Sequence, residues 1–503
     1  MNQKQHHGIY FPLSALRNPN GSGIGEYLDL IPMLHWCHAT GFDVIQLLPL
    51  NDSGQEPSPY SALSAEALHP IYLSLSDLPF LERMPHAQDK LSLLKKNNTL
   101  QRFNYHQVLQ DKKCFLREYF AAVFPYVVEL PEYQNFIDKE KDWLDRYVQY
   151  KSLKSKNEMK PWWEWTNMTP PTEESCNFYR LVQFLAFTQM RKVKQIATEL
   201  HVFLKGDIPI LIDRDSSDVW CHQQLFQLEY AAGAPPDVYS HEGQYWGFPI
   251  YNWAAHEASH FSWWKERLRV ASELYHLYRI DHIVGFFRIW AIPIGHKAVD
   301  GFFIPSNPTT WIEQGEKILK MFLMEAPIQP IGEDLGMVPD EVRASLERLH
   351  IPGTKVYRWE RKWKEDRGYI PVENYPPHSM STVSTHDSEV LGEWWKKGGE
   401  EVIAFCRHKG WEYDPLLSYE YRLAILQDIH RSASIFHINL LQEYLNLFPE
   451  LSWNSPDEER INIPGKVLDR NWSYRFRPTI AEIINFEPLT HIMQQLSGCF
   501  SRS

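Results

Sequence analysis

Three short segments of the chain end an apolar run with an acid: Tyr278-Arg279-Ile280-Asp281-His282, Ile331-Gly332-Glu333-Asp334-Leu335-Gly336 and Ser384-Thr385-His386-Asp387-Ser388. Cleavage of a glycosidic bond needs carboxylates of this kind. One attacks the anomeric carbon, while a second protonates the departing oxygen and then deprotonates the acceptor. Their pKa values must be driven apart, so that the nucleophile stays ionised while the acid keeps its proton. Arg279 stands two residues before Asp281, so on a strand both side chains point the same way. A guanidinium so placed is expected to hold Asp281 ionised. Glu333 lies in an apolar turn, where partial burial and the charge of Asp281 favour its protonated form. Asp387, beside His386, is suited to hydrogen-bonding ring hydroxyls in a positively charged transition state. A single strand-end acid more often caps the following helix. Three together, one with arginine at the right spacing and one with an adjacent histidine, point to a site.

Acids this far apart meet only if the fold brings strand ends together. Short apolar runs recur between helical patterns: Gly8–Phe11, Asp43–Leu48, Ile208–Ile212, Leu277–Asp281, Ile328–Glu333, Thr354–Trp359, Ser381–Ser384 and Arg460–Ile463. Several are nearly continuous in apolar residues, as strands covered on both faces should be. One intervening helix carries Leu28, Ile31 and Leu34 on one face, and another opens at Pro339-Asp340-Glu341, with a proline and acids suited to a first turn. Eight runs alternating with helices predict an α/β fold, a (β/α)8 TIM barrel, with the acids after the fourth, fifth and seventh strands at its carboxyl-terminal mouth. The rhythm breaks over residues 80–205. This stretch carries a helical run with Leu181, Phe184, Phe187 and Met190, and it reads as a helical insertion within a single catalytic domain spanning residues 1–503.

Composition narrows the class. The formal net charge of −12 over 503 residues, with no strongly basic segment, excludes a phosphate-coating nucleic-acid binder and points to a neutral substrate. No apolar run is long enough to span a bilayer, and Met1–Leu16 has no signal-type apolar core. Six scattered cysteines without a Cys-x-x-Cys pair read as reduced thiols, which places the protein in the cytoplasm with no metal or other cofactor. The 19 Trp, 25 Tyr and 26 Phe suit a large core and also the stacking of sugar rings. Two motifs are set aside. His256-Glu257-Ala258-Ser259-His260 matches the zinc-protease pattern but has no third ligand at a matching spacing, and it reads as a helix packing through Trp263 and Trp264. Gly21-Ser22-Gly23-Ile24-Gly25 is followed by Glu26 where a dinucleotide loop needs glycine, so a conformational role after the first strand is expected.

Along nearly its whole length the chain resembles the 4-α-glucanotransferases called amylomaltase or disproportionating enzyme, within the α-amylase-like group. The resemblance rests on seven blocks in the family's order. They are Gln46-Leu47-Leu48-Pro49-Leu50 with Ser58-Pro59-Tyr60-Ser61, then Gly206-Asp207-Ile208-Pro209 through Asp215-Ser216-Ser217-Asp218-Val219-Trp220, then Gly233-Ala234-Pro235-Pro236-Asp237 with Gly243-Gln244-Tyr245-Trp246-Gly247 and Pro249-Ile250-Tyr251-Asn252-Trp253. The three acid segments follow, and the last block is Asn462-Ile463-Pro464-Gly465 with Asn471-Trp472. The resemblance implies Asp281 as nucleophile, Glu333 as acid/base and Asp387 as transition-state stabiliser, supported by Arg279 and His386. It also implies Tyr60, Asp215, Asp237, Trp246 and Asn462 as glucan contacts. The alternatives are core packing for Tyr60 and Trp246 and loop structure for Asp215 and Asp237. The implied reaction moves a segment of a 1,4-α-glucan, such as a maltooligosaccharide, to the 4-hydroxyl of another by a retaining double displacement; hydrolysis of the same glucans is the alternative. Two departures are Tyr27, where the family often has Leu-Gly, and Lys466, where threonine usually follows Pro-Gly. Neither touches the acids, and Lys466 bears on the acceptor side.

Overall fold

A computed structural model describes residues 4–236 and 241–498. Its centre is a sheet of eight parallel strands: β1 (His6–Phe11), β2 (Val44–Leu47), β3 (Phe203–Ile208), β4 (Leu277–Ile280), β5 (Gln329–Gly332), β6 (Gly353–Val356), β7 (Ser379–Thr382) and β8 (Phe436–Leu440). Their order in space is β5-β4-β3-β2-β1-β8-β7-β6. The two ends meet where the Gly332 N–H donates to the Pro352 carbonyl at 2.8 Å and the Thr354 hydroxyl donates to the Gly332 carbonyl at 2.9 Å. The result is the expected (β/α)8 barrel, and Asp281, Glu333 and Asp387 follow β4, β5 and β7.

Two expected strands are corrected. The third is Phe203–Ile208, not Ile208–Ile212: Pro209 cannot donate to the ladder, so pairing stops just before it. The strand carries Lys205 and Asp207, both buried, which break the apolar pattern that marks a strand in the sequence. Lys205 donates to the Gln46 amide oxygen at 2.8 Å and contacts the Met380 sulfur at 2.9 Å, so one polar inward position is satisfied by others inside the barrel. The eighth is Phe436–Leu440, not Arg460–Ile463. Here His437 and Asn439 alternate with apolar residues, and Asn439 accepts the Val383 N–H at 2.8 Å and donates to Tyr444 at 2.9 Å. Arg460–Ile463 forms no strand and passes close to Asp387 at the mouth. The sixth strand is shorter than Thr354–Trp359, since Tyr357–Trp359 coils into a 3-10 turn.

Residues 80–205 are helical for most of their length, the two longest helices being Tyr105–Val127 and Glu173–Glu199. The second starts where the Thr172 hydroxyl accepts the Ser175 N–H, with Glu173 and Glu174 in the first turn, where the helix dipole favours acids. Leu181, Phe184, Phe187 and Met190 are buried, and the helix packs against Leu30–Thr40 and Ser262–Leu274 on the outside of the barrel. It therefore supplies the barrel's outer layer between β2 and β3, while Tyr105–Val127 packs against it in turn.

Candidate active site

At the mouth one guanidinium organises the acids. Arg279 Nη2 lies 2.8 Å from Asp281 Oδ1 and 3.9 Å from Glu333 Oε2. The two carboxylate oxygens can be no farther apart than the sum of those distances, which admits the separation of about 5–5.5 Å that retaining glycosidases use. The other arm of Arg279, Nη1, donates to both oxygens of Asp207 at 2.9 Å, and Asp207 also accepts the Tyr60 hydroxyl at 2.8 Å. Asp207 itself is inaccessible to solvent. Its pKa is nonetheless raised, because burial outweighs the attraction of Arg279.

Glu333 is set by backbone as much as by charge. The His282 N–H donates to Oε2 at 2.8 Å and the Leu335 N–H to Oε1 at 2.9 Å. His282 reaches that position with φ of 46°, in the left-handed region that non-glycine residues visit at a cost. Burial and the nearby Asp281 charge push the Glu333 carboxyl up to about 7, against the opposing pull of Arg279 and the two N–H groups. The direction is the one expected for an acid in an apolar turn beside a second carboxylate.

Asp387 is more open, its side chain 44% exposed at the mouth. Asn462 Nδ2 donates to Oδ1 at 2.7 Å, His386 Nε2 lies 3.2 Å from Oδ2, and Arg460 Nη2 donates to the Asp387 backbone carbonyl at 3.0 Å. Desolvation acts to raise its pKa, but His386, Asn462 and Arg279 together hold it down at about 2. The His386 ring is wedged between polar partners. Tyr10 hydrogen-bonds Nδ1, Tyr60 Oη lies 3.1 Å from Nε2, and the Tyr60 ring stacks on the imidazole at 5.4 Å and 13°. A chain of polar contacts thus runs from Asp387 through His386, Tyr60 and Asp207 to Arg279, which is ion-paired to Asp281 and lies 3.9 Å from Glu333.

The remaining expected contacts lie outward from this cluster. Trp246 packs edge-on against His282 at 5.0 Å, and its indole N–H donates to Gln244 at 3.0 Å. It lines a cleft of about 410 Å³ whose far wall includes Asp213, Asp215 and Lys154. Asp215 lies on that cleft but not beside the acids. Its carboxylate accepts from Lys154, from Tyr150 at 2.8 Å and from the Trp162 N–H at 3.0 Å, which ties the loop after β3 to the helical insertion. Asp237 lies outside the described residues. Asp207, Tyr10 and Arg460 join the site without having been singled out in the sequence. For Asp207 a signal exists, since it is two residues beyond Lys205 on a strand whose partner β4 aligns it with Arg279, but a strand started at Ile208 leaves it out.

The zinc-protease pattern does not assemble. The helix there is Trp253–Ala258, and His260 follows it at φ of 53°, so the two imidazoles do not share a helical face. His256 is buried among Phe226, Tyr251 and Trp263, while Glu257 pairs with Lys317 at the surface. Among the described residues no group of histidine, cysteine and acid side chains is arranged to hold a metal ion. Gly25 packs against the Leu13 carbonyl so closely that a Cβ would lie 1.9 Å from it, which accounts for the glycine-rich loop conformationally.

A parallel barrel that gathers three carboxylates and an arginine at its carboxyl-terminal mouth defines an enzyme of glycosidic bonds. The sequence profile of the family described as 4-alpha-glucanotransferase matches residues 11–481, and the chain belongs to that family. It is 42% identical to the 4-alpha-glucanotransferase of Chlamydia caviae over 496 residues, covering 96% of this chain and 92% of that protein. It is 29% identical to that of Aquifex aeolicus over 521 residues, covering 98% and 99%. Among solved structures, amylomaltase from Streptococcus agalactiae in complex with acarbose superposes with a TM-score of 0.83 at 22% identity, covering 99% of this chain and 100% of that one.

Proposed function

We propose that the chain, read as one catalytic unit with an inserted helical segment at 80–205, transfers segments of 1,4-α-glucans by double displacement with Asp281, Glu333 and Asp387 as its reacting and stabilising acids. The observation that carries this reading is the approach of one Arg279 nitrogen to both Asp281 and Glu333. In the first step an Asp281 oxygen bonds to the anomeric carbon as the C–O bond to the leaving sugar breaks, and the Glu333 proton passes to that oxygen. In the second, the 4-hydroxyl of an acceptor glucan attacks the same carbon, its proton returns to Glu333, and the ester bond to Asp281 breaks. Retention follows from two inversions. A Glu333 carboxyl near 7 suits both roles, since it is half protonated at neutral pH. Asp387, held ionised by Asn462 and His386, faces the positive charge that grows on the sugar ring. Asp207 and Tyr60 act through Arg279 and are positioning residues. Trp246 and the cleft beyond it offer a surface for further glucosyl units. Among the described residues no helix is long and apolar enough to cross a membrane. Cys37, Cys114, Cys176, Cys221 and Cys406 are free thiols, which supports a reducing compartment such as the cytoplasm.

Incubation with maltotriose alone tests the assignment. The expected result is glucose together with a ladder of longer maltooligosaccharides at constant total reducing ends. Rising reducing ends with only shorter products would instead make the enzyme a hydrolase.

A further inference from the structure

The cleft that starts at Trp246 runs past Phe248, Asp213 and Asp215 to Lys154 and Met159, which precede a segment the mechanism leaves unused, Pro161-Trp162-Trp163-Glu164-Trp165. This segment is fixed by many hydrogen bonds for a surface loop. The Trp162 N–H donates to the Asp215 carboxylate at 3.0 Å and its indole to the Arg214 carbonyl at 2.8 Å. The Trp165 indole donates to the Lys160 carbonyl at 2.9 Å. Asn157 accepts the backbone N–H groups of Thr166 at 3.1 Å and Asn167 at 2.9 Å, and donates to the Asn167 carbonyl at 2.9 Å. On this anchored loop Trp163 is 50% exposed. Among the described residues its one ring-to-ring contact is with Trp162, edge-on at 5.4 Å and 83°. A half-exposed indole on an anchored loop presents a ring face to a ligand without a further cost in ordering the backbone, which is the preorganised state that a binding surface needs.

We propose that Trp163 and the loop that holds it form an aromatic platform at the rim of the cleft, on which the distal part of a long α-glucan chain rests. This rests on the reading of the cleft as the glucan site. Continuity selects the occupant, since Asp215 belongs both to the cleft wall and to the hydrogen bonds that seat Trp162. A chain that leaves the cleft past Asp215 would cross this loop. In the same segment Glu164, Thr166 and Asn167 are exposed polar residues, alongside one exposed apolar residue, Met168. A sugar presents a C–H face to the indole and hydroxyls to such neighbours, whereas a protein partner would call for a contiguous apolar patch.

The platform is tested by native electrophoresis in gels containing amylose and by kinetics with donors of increasing length. Retardation is compared in a Glu333→Gln background with and without Trp163→Ala, so that binding is read without turnover. The apparent Kd for amylose should rise about 3- to 10-fold on losing one stacking face, with most of the affinity kept in Trp163→Tyr. In the active enzyme, the ratio of kcat/KM for long glucans to that for maltotriose should fall by a similar factor. Unchanged retardation would overturn the proposal, as would an equal fall for maltotriose and long chains. Failure of the unsubstituted enzyme to disproportionate maltotriose would refute the functional reading instead, and the gels would still decide whether the rim binds glucan.

Discussion

Replacing Asp207 with asparagine isolates what the buried support contributes to the acids. The carboxylate accepts two hydrogen bonds from Arg279 and one from Tyr60, without touching Asp281, Glu333 or solvent. An amide in its place would keep the shape and remove the charge. The guanidinium then has one fewer counter-charge, so its pull on Glu333 is less compensated and the Glu333 pKa should fall. Asp207 and Glu333 contact opposite arms of one guanidinium, so their charges are on the order of 8 Å apart, which is worth about 2 kcal/mol at an effective dielectric near 20. That corresponds to about 1.5 pH units. The deprotonation of the acid that bounds kcat/KM, set by a Glu333 carboxyl at about 7, should therefore move to lower pH by about that much. Loosened alignment of Arg279 should also cost about 10- to 100-fold in kcat/KM at the optimum. A pH profile of maltotriose disproportionation reads both effects. Loss of activity with an unmoved alkaline limb would reduce Asp207 to a packing residue, and a shift to higher pH would refute the electrostatic reasoning.

Glu333→Gln cannot deliver a proton and should lower transfer at least about 10³-fold while glucan binding in affinity gels persists; appreciable turnover would remove Glu333 from its role. Asn462→Ala takes away the 2.7 Å bond to Asp387 and should lower kcat by about 10-fold with a smaller change in KM, since the carboxylate it aims acts in the transition state. At the amino-terminal end of the barrel His7, His430 and His437 stack on one another, with His7 Nδ1 and His430 Nδ1 2.8 Å apart. Burial lowers His7 to about 4 and His437 to about 3, and His430 well below its usual value. The unfolded chain therefore binds more protons below about pH 6.5, and stability present above that pH should fall by about 1.4 kcal/mol per unit and per histidine as pH drops towards about 4. Thermal unfolding followed against pH should show a shallower slope in His7→Gln, and an equal slope would place the acid sensitivity elsewhere.

The local rules of strands carry a reading of the sequence far. Asp281, Glu333 and Asp387 are legible because each ends an apolar run, and Arg279 because a spacing of two puts side chains on one face of a strand. The barrel follows from the alternation of such runs with helices, and the family from blocks shared along the chain. The third and eighth strands are misplaced for one reason. Buried polar residues such as Lys205 and Asp207, which face into the barrel, and His437 and Asn439, which face the surrounding helices, break an apolar pattern, yet they are stable there because they find polar partners. Those partners come from elements far apart in sequence or from turns the pattern does not show, and a pattern read along one strand cannot reveal them.

Tertiary structure alone decided how the acids are tuned. Composition and spacing placed Glu333 near Asp281, and the Leu335 N–H two residues on reaches its carboxylate locally, but the His282 N–H closes on it only once β4 and β5 lie side by side. Likewise nothing in the order of residues joins Tyr10, Tyr60, Asp207 and His386. They lie on or after β1, β2, β3 and β7, and closure of the barrel brings their side chains within hydrogen-bonding reach. The sequence by itself determined which groups can react and which faces of their strands they share, because those depend on local periodicity. Their charge states and mutual positions depend on distance and burial, which for residues this far apart arise only when the chain closes on itself.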